Sequence, residues 1–212
     1  GEYLPDRLVD ETIRFAGANK DKPWMAHLWF YTVHWPMQAP KELLEKYADR
    51  KGPGLKDTRY GAMIEAMDTE IARIIDSIPA DQLDNTTVFV IGDNGTPSFG
   101  ISEPWPSNRS KGSSWESGVH VPMIVWGQHA PLVGEQTDAL VHLVDVFATM
   151  ADIGEASLGN ALYGSGPWRG RSITIDGKSL LPWLHGDPPS DWRTYMYTEG
   201  FYPNGEPPYE YH

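Results

Sequence analysis

From Arg59 to Ile78 apolar side chains recur at helical spacing. Tyr60, Met63, Ile64, Met67, Ile71, Ile74, Ile75 and Ile78 share one face, and Pro79 stops the helix because proline lacks an N–H and crowds the turn before it. TTVFVI (Thr86–Ile91) follows, β-branched and apolar throughout, as in a parallel-sheet strand buried on both faces. VPMIVW (Val121–Trp126) repeats that pattern. DALVHLVDVFATMADIG (Asp138–Gly154) then returns to the helical period, with Leu140, Leu143, Val144, Phe147 and Met150 facing inward and Gly154 as C-cap. Helices that alternate with wholly apolar strands predict an α/β sandwich.

The remaining segments fit the same layering. LVDETIRFAGANKDKP predicts a short helix ending near Gly17, WMAHLWFYTV (Trp24–Val33) a buried aromatic strand, and KELLEKYADR a short helix after two prolines. EASLGNALYGSGPWRGRS reads as a Gly/Ser-rich loop and TYMYTEG as a further strand. The 212 residues suffice for one domain with a real core. No apolar run is long enough to span a bilayer, and no signal-peptide pattern begins the chain, which starts at Gly1 rather than Met. The formal charge of −12 disfavours nucleic acid as a partner. With no cysteine, disulfides, thiolate metal sites and a cysteine nucleophile are excluded within these residues.

Asp93, Asn94 and Gly95 stand directly after the TTVFVI strand and Gly92. Asn-Gly is the commonest turn dipeptide, so a plain turn is one reading. The other is a cation site. Ligands bind at the carboxyl edge of α/β sheets, and a carboxylate beside an amide carbonyl suits Ca²⁺ or Mg²⁺ better than Zn²⁺.

The ordered set of motifs resembles the sulfatase family of the alkaline phosphatase superfamily. It comprises TVHWPMQAP, YGAMIEAMDTEIARIID, NTTVFVIGDNG, SKGSSWESGVHVPMIVW, LVDVFATM and DGKSLLPWLHG, and it runs over nearly the whole chain. The resemblance implies an alkaline-phosphatase-like sandwich whose mixed, largely parallel sheet is flanked by helices and incomplete at the N-terminus. Residues 1–190 would form the C-terminal portion of the catalytic domain, and 191–212 the start of the region after it. It implies sulfate-ester hydrolysis assisted by a divalent cation, most often Ca²⁺. Asp93 and Asn94 match the metal ligands, and His34 and Lys111 match the residues that bind sulfate and assist catalysis. Val33 stands where the family often has Pro, and His120 where it commonly has Arg. Glu116 and Gly118 match a turn read as structural. The stretch Thr96–Arg109, with Phe99 and Trp105, is either a leaving-group pocket or a surface loop.

The family's nucleophile, a formylglycine made in Cys/Ser-x-Pro-x-Arg, has no counterpart. SEPWP carries Pro106, and SIPAD carries Asp81, where Arg is required. The formylglycine and the remaining cation ligands are therefore expected upstream, with the isolated chain inactive. Exposed apolar sheet surfaces would then drive self-association or demand the missing segment. Substrates implied are small sulfate esters or sulfated carbohydrates. A phosphodiesterase or phosphonate monoester hydrolase of the same superfamily, and a non-catalytic assembly module, are the alternatives. Export to the periplasm or the cell exterior follows from the resemblance alone.

Overall fold

The computed structural model describes residues 3–50, 57–158, 170–172, 174–199, 201–202 and 210–211. The Gly/Ser-rich stretch predicted as a loop lies largely outside them. The chain divides into two units: Gly1–Asn85 with Val90–Met123 and Glu199–His212, and Thr86–Phe89 with Ile124–Thr198.

The first unit is built around α3 (Thr58–Ser77), against which α1 (Leu4–Ala18) and α2 (Lys41–Tyr47) pack. Asp57 caps α3 by accepting the Arg59 N–H at 3.0 Å, and its carboxylate also pairs with the Arg59 guanidinium at 2.6 Å. Ile78 turns extended and Pro79 leads into the single turn α4 (Ala80–Leu83). The buried face of α3 carries Gly61, Ala62, Met63, Ala66 and Glu70. Small side chains such as Gly61, Ala62 and Ala66 let a neighbouring helix backbone approach closely. The isoleucine-rich face is only partly covered, and Ile64 is exposed. Val9 of α1 is fully buried. Arg73 ties the two helices, reaching Glu70 at 2.5 Å and Asp10 at 2.6 Å.

β1 (Thr87–Ile91) and β2 (Met123–Gly127) pair with each other. The Gly92 N–H reaches Pro122 O at 3.0 Å and the Gln128 N–H reaches Thr86 O at 2.9 Å, so numbering rises on one strand as it falls on the other. This pair is antiparallel, and neither strand is buried on both faces as expected. β1 is half-buried throughout, and β2 alternates, with Ile124 and Trp126 exposed. Such alternation is what an antiparallel pair with one covered face produces. In the same unit as α3, β3 (Phe201–Tyr202) pairs antiparallel with β4 (Glu210–Tyr211).

Two predicted strands are absent. Trp24–Val33 forms no ladder, and Met25, Trp29 and Tyr31 are 65%, 68% and 66% exposed. The described part of TYMYTEG, Thr194–Glu199, is likewise irregular, with Tyr195 and Tyr197 exposed.

The second unit centres on α6 (Leu143–Ile153), which packs with α7 (Leu181–Leu184). The expected inward face is reversed. Leu140, Leu143, Val144 and Phe147 are exposed, Met150 is half-buried, and Asp145, Ala148 and Thr149 are buried. The reason is a polar network. Asp145 accepts the His142 N–H at 2.8 Å and the Lys178 N–H at 2.9 Å, and pairs with Arg193 through both oxygens. The Thr149 hydroxyl donates to Asp145 O at 2.7 Å and accepts the Leu180 N–H at 2.8 Å. Every buried polar group in this network has a partner, which is what makes its burial tolerable.

Candidate active site

Asp93 and Asn94 follow β1 on an exposed turn, where the Asn94 amide donates to Asp93 Oδ1 at 2.5 Å. Gly95 decides what kind of turn this is. Its backbone lies outside the left-handed region, so the tight Asn-Gly turn that needs positive φ is not formed. A Cβ at Gly95 would instead lie 2.3 Å from Gly118 C and 2.5 Å from Ser117 O. The glycine is needed because two backbones meet there.

The partner backbone is the single helical turn α5 (Glu116–Val119). The Gly95 N–H donates to Gly118 O at 3.0 Å and the Thr96 N–H to Ser117 O at 3.2 Å. Gly118 is crowded from its other side, since a Cβ there would lie 2.2 Å from Ser113 O. The Lys111 N–H then donates to Thr96 O at 2.9 Å. Asp93, Asn94 and Lys111 are thus fixed to one backbone clamp formed by Gly95, Thr96, Ser117 and Gly118. The Lys111 side chain is exposed and makes no ion pair among the described residues. Arg109, close in sequence, lies over the Trp115 ring at 3.5 Å from its centroid, and Arg109 O accepts the Ser117 hydroxyl.

His34 lies on a different loop and is exposed. Its Nδ1 is 2.9 Å from Trp35 O. A carbonyl only accepts, so Nδ1 carries the proton and Nε2 is the ring's remaining hydrogen-bonding atom. The neighbouring Trp35 makes an edge contact with Phe99 at 6.3 Å, and Phe99 meets Tyr60 of α3 at 5.5 Å. The His34 loop is thereby connected to the segment that begins at Thr96.

As cation ligands, Asp93 and Asn94 have the right chemistry but not the number. Their oxygens are hard donors carrying one negative charge, whereas Ca²⁺ takes about 6–8 oxygens. Among the described residues no group of three or more His, Asp or Glu side chains converges. The pair can form one side of a cation site.

The stretch Thr96–Arg109, read as either a leaving-group pocket or a surface loop, contributes Thr96, Ile101 and Trp105 to a cavity of about 150 Å³ whose other walls include Glu116, Ser117 and His120. Glu116, read as structural, has an exposed carboxylate 2.9 Å from His120 Nδ1. The structural burden of that turn rests on Gly118.

The Sulfatase family model matches residues 1–156. The chain belongs to the Sulfatase family. Its relatives include the uncharacterized sulfatase YdeN of Escherichia coli strain K12, 28% identical over 190 residues, an alignment covering 86% of this chain and 31% of YdeN. The sulfatase chain thus spans about a third of the length of that relative. Among solved structures it is similar to Ps i-CgsB, with a TM-score of 0.71 and 24% identity over 88% of this chain and 39% of that one. It is also similar to the phosphonate monoester hydrolase of Agrobacterium radiobacter, with a TM-score of 0.63 and 19% identity over 94% and 44%. These likenesses give the sulfatase chain an alkaline-phosphatase-like α/β fold. The family works in general with a divalent metal and a formylglycine. No helix among the described residues is long and apolar enough to cross a membrane.

Proposed function

We propose that this chain supplies one side of a sulfate-ester hydrolase site, with the formylglycine nucleophile and the other metal ligands contributed from outside these residues. The observation that carries the reading is the backbone clamp that holds the Asp93–Asn94 turn and Lys111 on one framework. Residues 1–190 are the catalytic-domain portion under this reading, and 191–212 begin the next region.

Asp93 and Asn94 would hold the divalent cation, Ca²⁺ by the hardness of their oxygens, which when bound polarises a sulfate oxygen. The Lys111 ammonium offsets negative charge on the sulfate and can protonate the ester oxygen as its bond to sulfur breaks. His34, with Nδ1 donating to Trp35 O, donates to the sulfate through Nε2 when the ring carries both protons. The substrates would be small sulfate esters or sulfated carbohydrates. Ps i-CgsB, whose structure has been solved in complex with k-i-k-neocarrahexaose, provides a carbohydrate-binding precedent within the fold.

Calorimetry with Ca²⁺ and with inorganic sulfate, beside an aryl sulfate turnover assay, tests this. The chain alone is expected to bind both weakly and turn over nothing. Asp93→Ala should remove Ca²⁺ binding, and Lys111→Ala should weaken sulfate binding at least fivefold. Turnover by the chain that survives Asp93→Ala, or binding indifferent to both substitutions, would sink the reading. A parallel phosphonate monoester arm distinguishes the alternative class: preferential binding there through Lys111 would reassign the substrate.

A further inference from the structure

The residues between the Asp93–Asn94 turn and Lys111 build the cavity described above, and nothing in the proposed chemistry uses it. Its position ties it to the site. Thr96 lines it, stands two residues after Asn94, and accepts the Lys111 N–H through its carbonyl at 2.9 Å. Ser117 also lines it and accepts the Thr96 N–H at 3.2 Å. The clamp that fixes Lys111 is therefore one wall of the cavity.

Its size and lining define what it can take. A cavity of about 150 Å³ is of the size that admits one six-membered ring. Trp105 supplies an aromatic wall and Ile101, which is buried, an apolar one. Against them stands the Glu116–His120 pair, a carboxylate and an imidazole at 2.9 Å. Glu116 and His120 partner each other and are exposed, so an unsubstituted aryl ring laid over them would strip water from the second carboxylate oxygen and from Nε2 and replace none of those hydrogen bonds, which is costly. A ring with apolar C–H faces and hydroxyls at its edge satisfies both walls, the faces against Trp105 and the hydroxyls on Glu116 and His120.

We infer that this cavity is the leaving-group subsite and that Trp105, Glu116 and His120 select a sulfated pyranose over an aryl sulfate. The inference rests on the sulfatase reading of Lys111. The segment Thr96–Arg109 is then a pocket wall rather than a surface loop, and His120, which departs from the family's Arg, is a specificity residue.

The test is calorimetry on the full 212-residue chain with four probes: D-glucosamine 6-sulfate, D-glucosamine, phenyl sulfate and inorganic sulfate. The Trp105 indole N–H is followed by NMR and assigned by its loss in Trp105→Phe. The sulfated sugar is expected to bind at least fivefold tighter than inorganic sulfate and to shift the Trp105 signal. Trp105→Ala and His120→Ala should each abolish that advantage while changing sulfate affinity less than twofold. Both side chains are exposed, at 44% for Trp105 and 70% for His120, so neither substitution empties the core. An advantage that survives both substitutions, or an equal one for the aryl sulfate, overturns the inference and leaves Lys111-dependent sulfate binding standing. Absence of sulfate binding in every arm overturns the sulfatase reading and the subsite together.

Discussion

Gly95 shows how one missing side chain can organise a site. Its hydrogen atom occupies the space between two backbones, and any Cβ would meet Gly118 at 2.3 Å. Gly95→Ala is therefore expected to force the Asp93–Asn94 turn away from α5. The cost is about 1–3 kcal/mol, the usual penalty of overpacking, read as a lower urea midpoint together with loss of Lys111-dependent sulfate binding. An unchanged midpoint would show that the clamp is looser than its geometry. Motif order singled out His34, Asp93, Asn94 and Lys111 as candidates, and all four lie on exposed loops. The clamp was not legible, because a glycine required by close approach and a glycine required by a turn look alike in a sequence.

At the scale of elements, α6 carries the clearest lesson. Periodicity finds a helix but assigns its apolar stripe to the core by default. Here Asp145 and Thr149 face inward, because the Lys178–Leu180 segment and Arg193 offer them hydrogen bonds. Those partners are more than thirty residues away in sequence, beyond the reach of any helical pattern. Burial alone would raise the Asp145 carboxyl. The Arg193 guanidinium and the His142 and Lys178 N–H groups outweigh it and hold the carboxyl below the usual carboxylate range. A carboxyl lowered in the folded state adds stability that is complete above its unfolded pKa, about 3.9, and is lost as pH falls through the folded value. The urea midpoint should therefore drop below about pH 4. Asp145→Asn should be less stable at pH 7 and lack that acid dependence. Asp145→Ala leaves the half-buried Arg193 guanidinium without its carboxylate and is expected to cost about 3 kcal/mol. An Asp145→Asn variant that keeps the acid dependence would assign it to other carboxylates. Helix α3 was read almost to the residue, since Pro79 marks its end whatever packs against it. The stretch Trp24–Val33 was misread, because β-propensity reports how a residue suits a strand and not whether a partner strand is present.

For the molecule as a whole, large apolar side chains stand exposed on several elements of a chain of formal charge −12. Met25, Trp29 and Tyr31 are exposed on one irregular stretch, Ile124 and Trp126 on β2, and Val144 and Phe147 on α6. Scattered apolar residues are normal, but runs of large aromatic side chains mark surfaces that associate. Light scattering over a concentration series is expected to show self-association that added salt does not abolish, as screening removes charge repulsion and leaves apolar contact intact. A monodisperse monomer across that series would count against it. The α/β class was legible because alternating periods survive whatever surrounds them. How much of each apolar face is covered depends on neighbours that periodicity does not encode.

The clamp has one more consequence, for engineering. Because Gly95 and Thr96 are fastened to Ser117 and Gly118, the intervening stretch behaves as a cassette with both ends stapled. Residues 102–108 could be exchanged for a sequence of other composition, with Phe99, Ile101 and Arg109 kept because they hold the stretch to Trp35 and Tyr60, to the interior and to Trp115. New leaving groups would then be reached by swapping the cassette, with the reactive framework left as it stands.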